Sequence, residues 1–138
     1  MNNLIVLGIT FAVGIMLVFN AHAAGDVTKG KAAYAVCQAC HGADGMGNKA
    51  LNAPQIAGQS TWYIKRQLKH FKAGIRGANS KDKYGMQMRP MALTLPTDQA
   101  VEDMAAYVSS MPVKPVSATV KGDVEAGKKS YMLCQACH

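Results

Sequence analysis

The sequence predicts an all-helical fold, and three observations carry that prediction. Apolar residues recur at helical spacing in separate segments, no stretch alternates as a half-buried strand does, and one 17-residue segment returns late in the chain. Gly25–His41 aligns on Gly122–His138 at an offset of 97 with 11 identities in 17 positions. A repeat of that length points to a duplicated domain. The expected organisation is one small complete domain over residues 24–111, a linker over 112–121, and at 122–138 the opening helix of a truncated second domain. An incomplete gene or a fragment is the expected explanation of the abrupt end.

The elements follow in order. Val27, Gly30, Tyr34 and Cys37 share one stripe of a first helix, capped by Asp26 and running to about Cys40. Gly30 leaves room for a second helix to cross closely, with Tyr34 packed beside the crossing. Gly42, Gly45 and Gly47 open a loop lasting to Pro54 and Gly58. Ser60 is placed to cap a second helix from about Thr61 to Ala73, which Gly74 stops. Residues 74–96, with Gly77, Gly85, Pro90 and Pro96, read as irregular loop. Thr97 caps a last helix whose buried face is Val101, Met104, Ala105 and Val108, and Pro112 and Pro115 begin the linker.

Residues 1–23 carry no charge. Leu4–Phe19 is apolar apart from Gly8, Thr10 and Gly14, and Ala21-His22-Ala23 follows as an A-x-A cleavage pattern. The segment reads as a secretory signal peptide without the usual basic start. The run is shorter than the roughly 20 residues of a spanning helix; an uncleaved membrane anchor is the alternative. Either way the remainder is exported, and the periplasm is the expected location. Cleavage leaves 115 of 138 residues with all 15 basic and 8 acidic side chains, a net charge of +7. Aromatic–basic interleaving and nucleic-acid fold motifs are absent, so the charge points to a protein partner and not to nucleic acid.

All four cysteines lie in two copies of Cys-Gln-Ala-Cys-His, ending at His41 and His138. Cys-x-x-Cys-His is the attachment sequence of c-type haem. The two thiols add across the haem vinyl groups as thioethers, and the adjacent histidine lies under the iron. Haem c is therefore expected on Cys37 and Cys40 with His41 as a metal ligand. A second attachment motif is Cys134, Cys137 and His138. A domain of about 90 residues buries a marginal core, and covalent haem adds the missing apolar mass. A zinc site or a dithiol pair would explain one copy; two copies using every cysteine weigh against both.

An electron carrier needs a methionine on the far side of the iron, because a Met/His pair favours Fe(II) and leaves no open position. Met46 lies too near His41 in sequence, and Met104 lies on the buried face of the last helix. Met86, Met88 and Met91 cluster before that helix, and spacing alone does not choose among them.

Together these residues resemble the class I cytochromes c, specifically the two-haem, two-domain periplasmic ones. The matching features are the Gly-x-x-x-Tyr helix entering Cys-x-x-Cys-His, Pro54 thirteen residues beyond His41, Gly-Gln-Ser-Thr-Trp-Tyr at 58–63, and Met-Arg-Pro-Met before a helix carrying Ala105-Ala106-Tyr107. The resemblance implies a small cytochrome c-like helical domain wrapped around haem. It implies Met88 as the distal ligand with Met91 as runner-up, and the Pro54 carbonyl as acceptor for the outer nitrogen of His41; a simple turn is the other reading of Pro54. Trp62, Tyr63 and Arg89 are candidates to hydrogen-bond a propionate, against core packing for the two aromatics.

The expected function is electron transfer without catalysis, Fe(III)/Fe(II) cycling between respiratory redox partners. By family analogy these include a terminal oxidase or a membrane cytochrome complex. A haem enzyme or gas-binding sensor is the alternative and needs an open distal position. Lys65, Lys69, Lys72 and Arg76 form a basic stripe at i, i+4, i+7, i+11. It reads either as solvated surface or as a docking patch for an acidic partner.

Overall fold

Asp26 starts the domain. In the computed structural model, which describes residues 24–115 and 120–138, its carboxylate accepts from the backbone N–H groups of Thr28 and Lys29 and caps α1 (Val27–Ala33). The signal peptide expected at 1–23 and residues 116–119 of the expected linker lie outside the described residues. The helix expected to continue to Cys40 instead tightens into a 3-10 turn (Tyr34–Val36), then resumes as α2 (Gln38–His41). Tyr34 ties this turn to the chain beyond it. Its buried hydroxyl donates to the carbonyl of Gly42, eight residues on, at 2.7 Å, where φ +80° turns the chain out of α2. Burial pushes the Tyr34 phenol up to about 12, so it remains a donor.

α1 crosses α5 (Asp98–Ser110) at Gly30, as the sequence predicts. A Cβ at Gly30 would lie 2.1 Å from the Asp103 carbonyl oxygen. Tyr34 packs edge-on against Tyr107 beside the crossing, with ring centroids 5.3 Å apart. The Asp103 carboxylate is buried there and accepts from the Asp26 N–H at 2.8 Å and the Gln99 amide at 2.9 Å. The bond from Asp26 N–H holds its carboxyl below the usual range. Gly30→Ala is therefore expected to destabilise. The roughly 1 kcal/mol gained in helix propensity is outweighed by overpacking at the upper end of about 1–3 kcal/mol. Thermal unfolding should show Tm falling by roughly 10 °C for a domain this small.

The Thr97 hydroxyl accepts from Ala100 N–H at 3.1 Å and caps α5, whose inner face buries Val101, Met104, Ala105 and Val108. α3 (Thr61–Lys72) contributes Ile64, Leu68 and Phe71 to the same core. Ser60 precedes α3, but its side chain makes no capping bond; its carbonyl takes the N–H groups of Tyr63 and Ile64 at 3.1 Å each.

The basic stripe on α3 turns toward α5. Lys65 pairs with Glu102 at 3.0 Å and Lys69 with Asp98 at 3.2 Å, while Lys72 Nζ donates to the Leu95 carbonyl. Arg76 is not on this face: α3 ends at Lys72, and Gly74 at φ +73° redirects the chain. Two of the four cations thus fasten α3 to α5, and a third ties it to the turn just before α5. Exposed pairs contribute about 0.2–1 kcal/mol each. Lys69→Glu with Lys72→Glu, which adds repulsion against Asp98, is expected to cost on the order of 1–2 kcal/mol and to lower Tm measurably.

A third long helix, α4 (Lys83–Leu93), lies within the stretch expected to be irregular. The Asp82 carboxylate starts it by accepting from Gly85 N–H at 2.9 Å, and Pro90 sits on its exposed side. Its inward stripe is Gly85, Met88 and Ala92, at i, i+3, i+7. Two of those three residues are small, which leaves the apolar periodicity faint. Among the described residues no strand occurs beyond an isolated bridge between Asn48 and Ala53, beside a 3-10 turn at Lys49–Leu51.

The repeat reproduces local structure. Asp123 caps α6 (Val124–Tyr131) through Glu125 and Ala126, as Asp26 caps α1. Every residue of 121–138 is exposed, and a Cβ at Gly127 would meet nothing, in contrast to its counterpart Gly30. Among the described residues no helix is long and apolar enough to cross a membrane.

Candidate cofactor site

The tightened turn after α1 delivers Cys37, Cys40 and His41 to the wall of a mainly apolar cavity of about 480 Å³. That is within the roughly 300–1,000 Å³ typical of cofactor pockets. His41 is 7% exposed. Its Nδ1 lies 2.9 Å from the Pro54 carbonyl oxygen, so Nδ1 carries the proton and Nε2 is left for a ligand. The loop between them is internally bonded. Gly47 N–H donates to the His41 carbonyl at 2.8 Å, and Asn48 and Ala53 exchange backbone bonds at 2.8 and 3.0 Å. Burial, then the neighbouring Cys40, pushes the Cys37 thiol up. Dithiol redox sites have lowered thiol values instead.

α4 and α5 supply further wall. Met88 and Met91 both line the cavity. Met88 is partly buried and packed on the core, whereas Met91 is 36% exposed and lies farther round α4. Met104 is core and also touches the cavity. Met46 packs on the core away from the cavity, and Met86 is exposed and does not line it. Tyr63 borders the cavity; Trp62, 58% exposed, does not, and carries Arg66 over its ring at 5.4 Å. Arg89 is outside the lining, although its buried Nε has no hydrogen-bond partner. The second motif, Cys134, Cys137 and His138, is exposed and takes no part in this cavity.

Polar groups not anticipated from the sequence stand at the cavity. Arg76 stacks over Phe71 at 4.3 Å and donates to Gln67 Oε1 at 2.6 Å, and both Arg76 and Gln67 line the space, as does Gln59. The usable signal for Arg76 was Gly74, the helix stop itself, which removes Arg76 from the α3 register.

A flat apolar cofactor fits this donor set: a paired-thiol attachment, a histidine with one oriented free nitrogen, and thioether sulfurs on the same cavity. The geometry defines a haem c-binding helical domain. The cytochrome c family model matches residues 27–112, and the chain belongs to the cytochrome c family. Members bind haem c covalently and carry electrons. The chain is 38% identical over 130 residues to cytochrome c4 of Azotobacter vinelandii, covering 86% of this chain and 60% of that protein. It is 39% identical over 88 residues to cytochrome c-554(548) of Halomonas halodenitrificans, covering 63% of this chain and 98% of that protein. Among solved structures, reduced recombinant cytochrome c4 from Pseudomonas stutzeri matches with a TM-score of 0.54 at 38% identity, covering 80% of this chain and 56% of that one. The matches thus span about 40–60% of the length of the cytochromes c4 concerned.

Proposed function

We propose that the 24–111 domain is a periplasmic electron carrier with haem held by Cys37 and Cys40 and ligated by His41 and Met88. One observation carries the reading: the attachment pair, an oriented histidine and a partly buried methionine share a single apolar cavity. Haem bound there supplies one-electron Fe(III)/Fe(II) chemistry. Cys37 and Cys40 keep it from dissociating, and Pro54 fixes the tautomer and plane of His41. Met88, with Met91 as the nearest substitute, would hold the haem iron through its thioether and so keep oxygen and peroxide from it. Apolar walls from α3 and α5 keep water out. Tyr63 and Arg76 are the side chains best placed for the polar edge; Arg89 has the free Nε, and Trp62 the weakest claim. Cys134, Cys137 and His138 attach a second haem by the same chemistry.

The partners are redox proteins, by class a terminal oxidase or a membrane cytochrome complex. The test is spectroelectrochemical titration of the purified protein, which should give reversible one-electron behaviour and, for the first haem, no change when carbon monoxide is added after reduction. A carbon monoxide-shifted spectrum from that haem would favour the gas-binding alternative.

A further inference from the structure

After α5 the chain lies along the loop that carries Pro54. Met111 is 6% exposed, and a Cβ at Gly45, where φ is +68°, would lie 2.6 Å from its sulfur. Two residues on, Val113 occupies the corresponding space at Gly58, φ +73°, where a Cβ would lie 2.0 Å from Val113 Cγ2. Lys114 Nζ then donates to Asp44 Oδ2 at 2.6 Å, while Asp44 Oδ1 accepts from Met46 N–H at 3.2 Å. The Lys114 ammonium holds the Asp44 carboxyl below the usual carboxylate range. Residues 111–114 therefore form a strap over residues 44–58.

The strap reaches His41 through a relay of contacts. Met111 sits on Gly45, and the Gly45 carbonyl accepts from Ile56 N–H at 2.8 Å and Ala57 N–H at 3.0 Å. Those bonds hold the segment immediately after Pro54, whose own carbonyl lies 2.9 Å from His41 Nδ1. A cysteine-attached histidine needs only its neighbours in sequence to reach the cavity. The strap acts instead on where the acceptor stands.

We propose that Met111, at the end of the domain, with Val113 and Lys114, at the start of the linker toward the second Cys-x-x-Cys-His motif, are positioning residues that hold the Pro54 carbonyl on His41 and thereby set the reduction potential of the first haem. The inference rests on the reading of His41 as an iron ligand. A firm acceptor on Nδ1–H makes the imidazole more basic, which favours Fe(III) and lowers the potential. Slackening the strap lengthens that bond, so the potential rises. A displacement of the linker is felt in the same way.

The test uses the full haem-loaded chain and uncharged substitutions, so that no through-space charge effect intervenes. Met111→Ala should raise the first-haem potential, with a severalfold larger reduced fraction at a fixed applied potential. It should also speed solvent exchange of the His41 Nδ1 proton in NMR spectra. Val113→Ala should do both more weakly, and Met111→Leu should restore both. Val101→Ala, a buried α5 change remote from the strap, should lower Tm while leaving potential and exchange unchanged. Should Met111→Ala fail to fold, Val113→Ala, whose side chain is largely exposed, decides. Unchanged potential and exchange in the strap variants overturn the proposal, as does an equal shift in Val101→Ala. Failure of the underlying reading is distinct: the unmutated protein would then lack the low-spin spectrum of a histidine-ligated haem.

Discussion

Met88→Ala is expected to abolish the weak far-red absorption of sulfur on ferric iron, to lower the potential, and to let the reduced first haem bind carbon monoxide. The thioether favours Fe(II), so its loss should move the redox equilibrium by roughly tenfold or more toward Fe(III), at about 59 mV per tenfold for one electron. Stability should change less. Met88 is only partly buried, so truncation should cost about 1–2 kcal/mol, below the 2–5 kcal/mol of fully buried methionines. Met91→Ala is the matched comparison: it removes the same group from the same helix at a position 36% exposed. It should leave the far-red band, the potential and the carbon monoxide response nearly unchanged. The reverse result, with Met91→Ala producing all three effects and Met88→Ala none, would exchange the two assignments.

The same helix shows what sequence pattern conveys and what it hides. Met88 was recognisable as a candidate because three methionines cluster ahead of a capped helix, but the helix beneath them was not. Its inward stripe of Gly85, Met88 and Ala92 offers too little apolar bulk to register, and Gly85 and Pro90 read as breakers. Asp82 starts the helix by capping through Gly85 N–H, and packing of Met88 and Ala92 on the core supports it despite Gly85 and Pro90. By contrast α5 was legible residue by residue, since Thr97 caps it and its buried face is carried by Val101, Met104 and Val108. Gly30 was legible too, because a glycine one turn before a tyrosine has few roles in a helix other than close approach. Charge was the weakest guide. Lysine spacing placed Lys65, Lys69 and Lys72 on one face, but the face opposite them belongs to α5, 29 residues away in the Lys69–Asp98 pair. The strap at Met111–Lys114 was hidden for a similar reason: its partners Gly45, Gly58 and Asp44 are distant in sequence, and Pro112 and Pro115 read as a plain linker.

Removing both thioether anchors of the first motif should have the largest effect on the domain as a whole. At roughly 24 cal/mol per Å³, an empty space of about 480 Å³ would cost on the order of 11 kcal/mol, an upper bound because its mouth is open to solvent. Even half of that is comparable with the total stability of a small domain, about 5–15 kcal/mol. Cys37→Ala with Cys40→Ala should therefore give colourless or extractable material with reduced helical circular dichroism, whereas the unmutated first domain should keep its pigment in acidified acetone. The single variants should fall between, because one thioether still retains the haem. The partly buried Cys37 should be the more damaging of the two, since Cys40 is exposed. Because Cys134 and Cys137 remain in the double variant, pigment from the second motif must be subtracted, most directly by substituting those two residues as well. Pigment that leaves the unmutated protein in acidified acetone, or a quadruple variant that stays coloured and helical, would show that the fold does not depend on covalent haem.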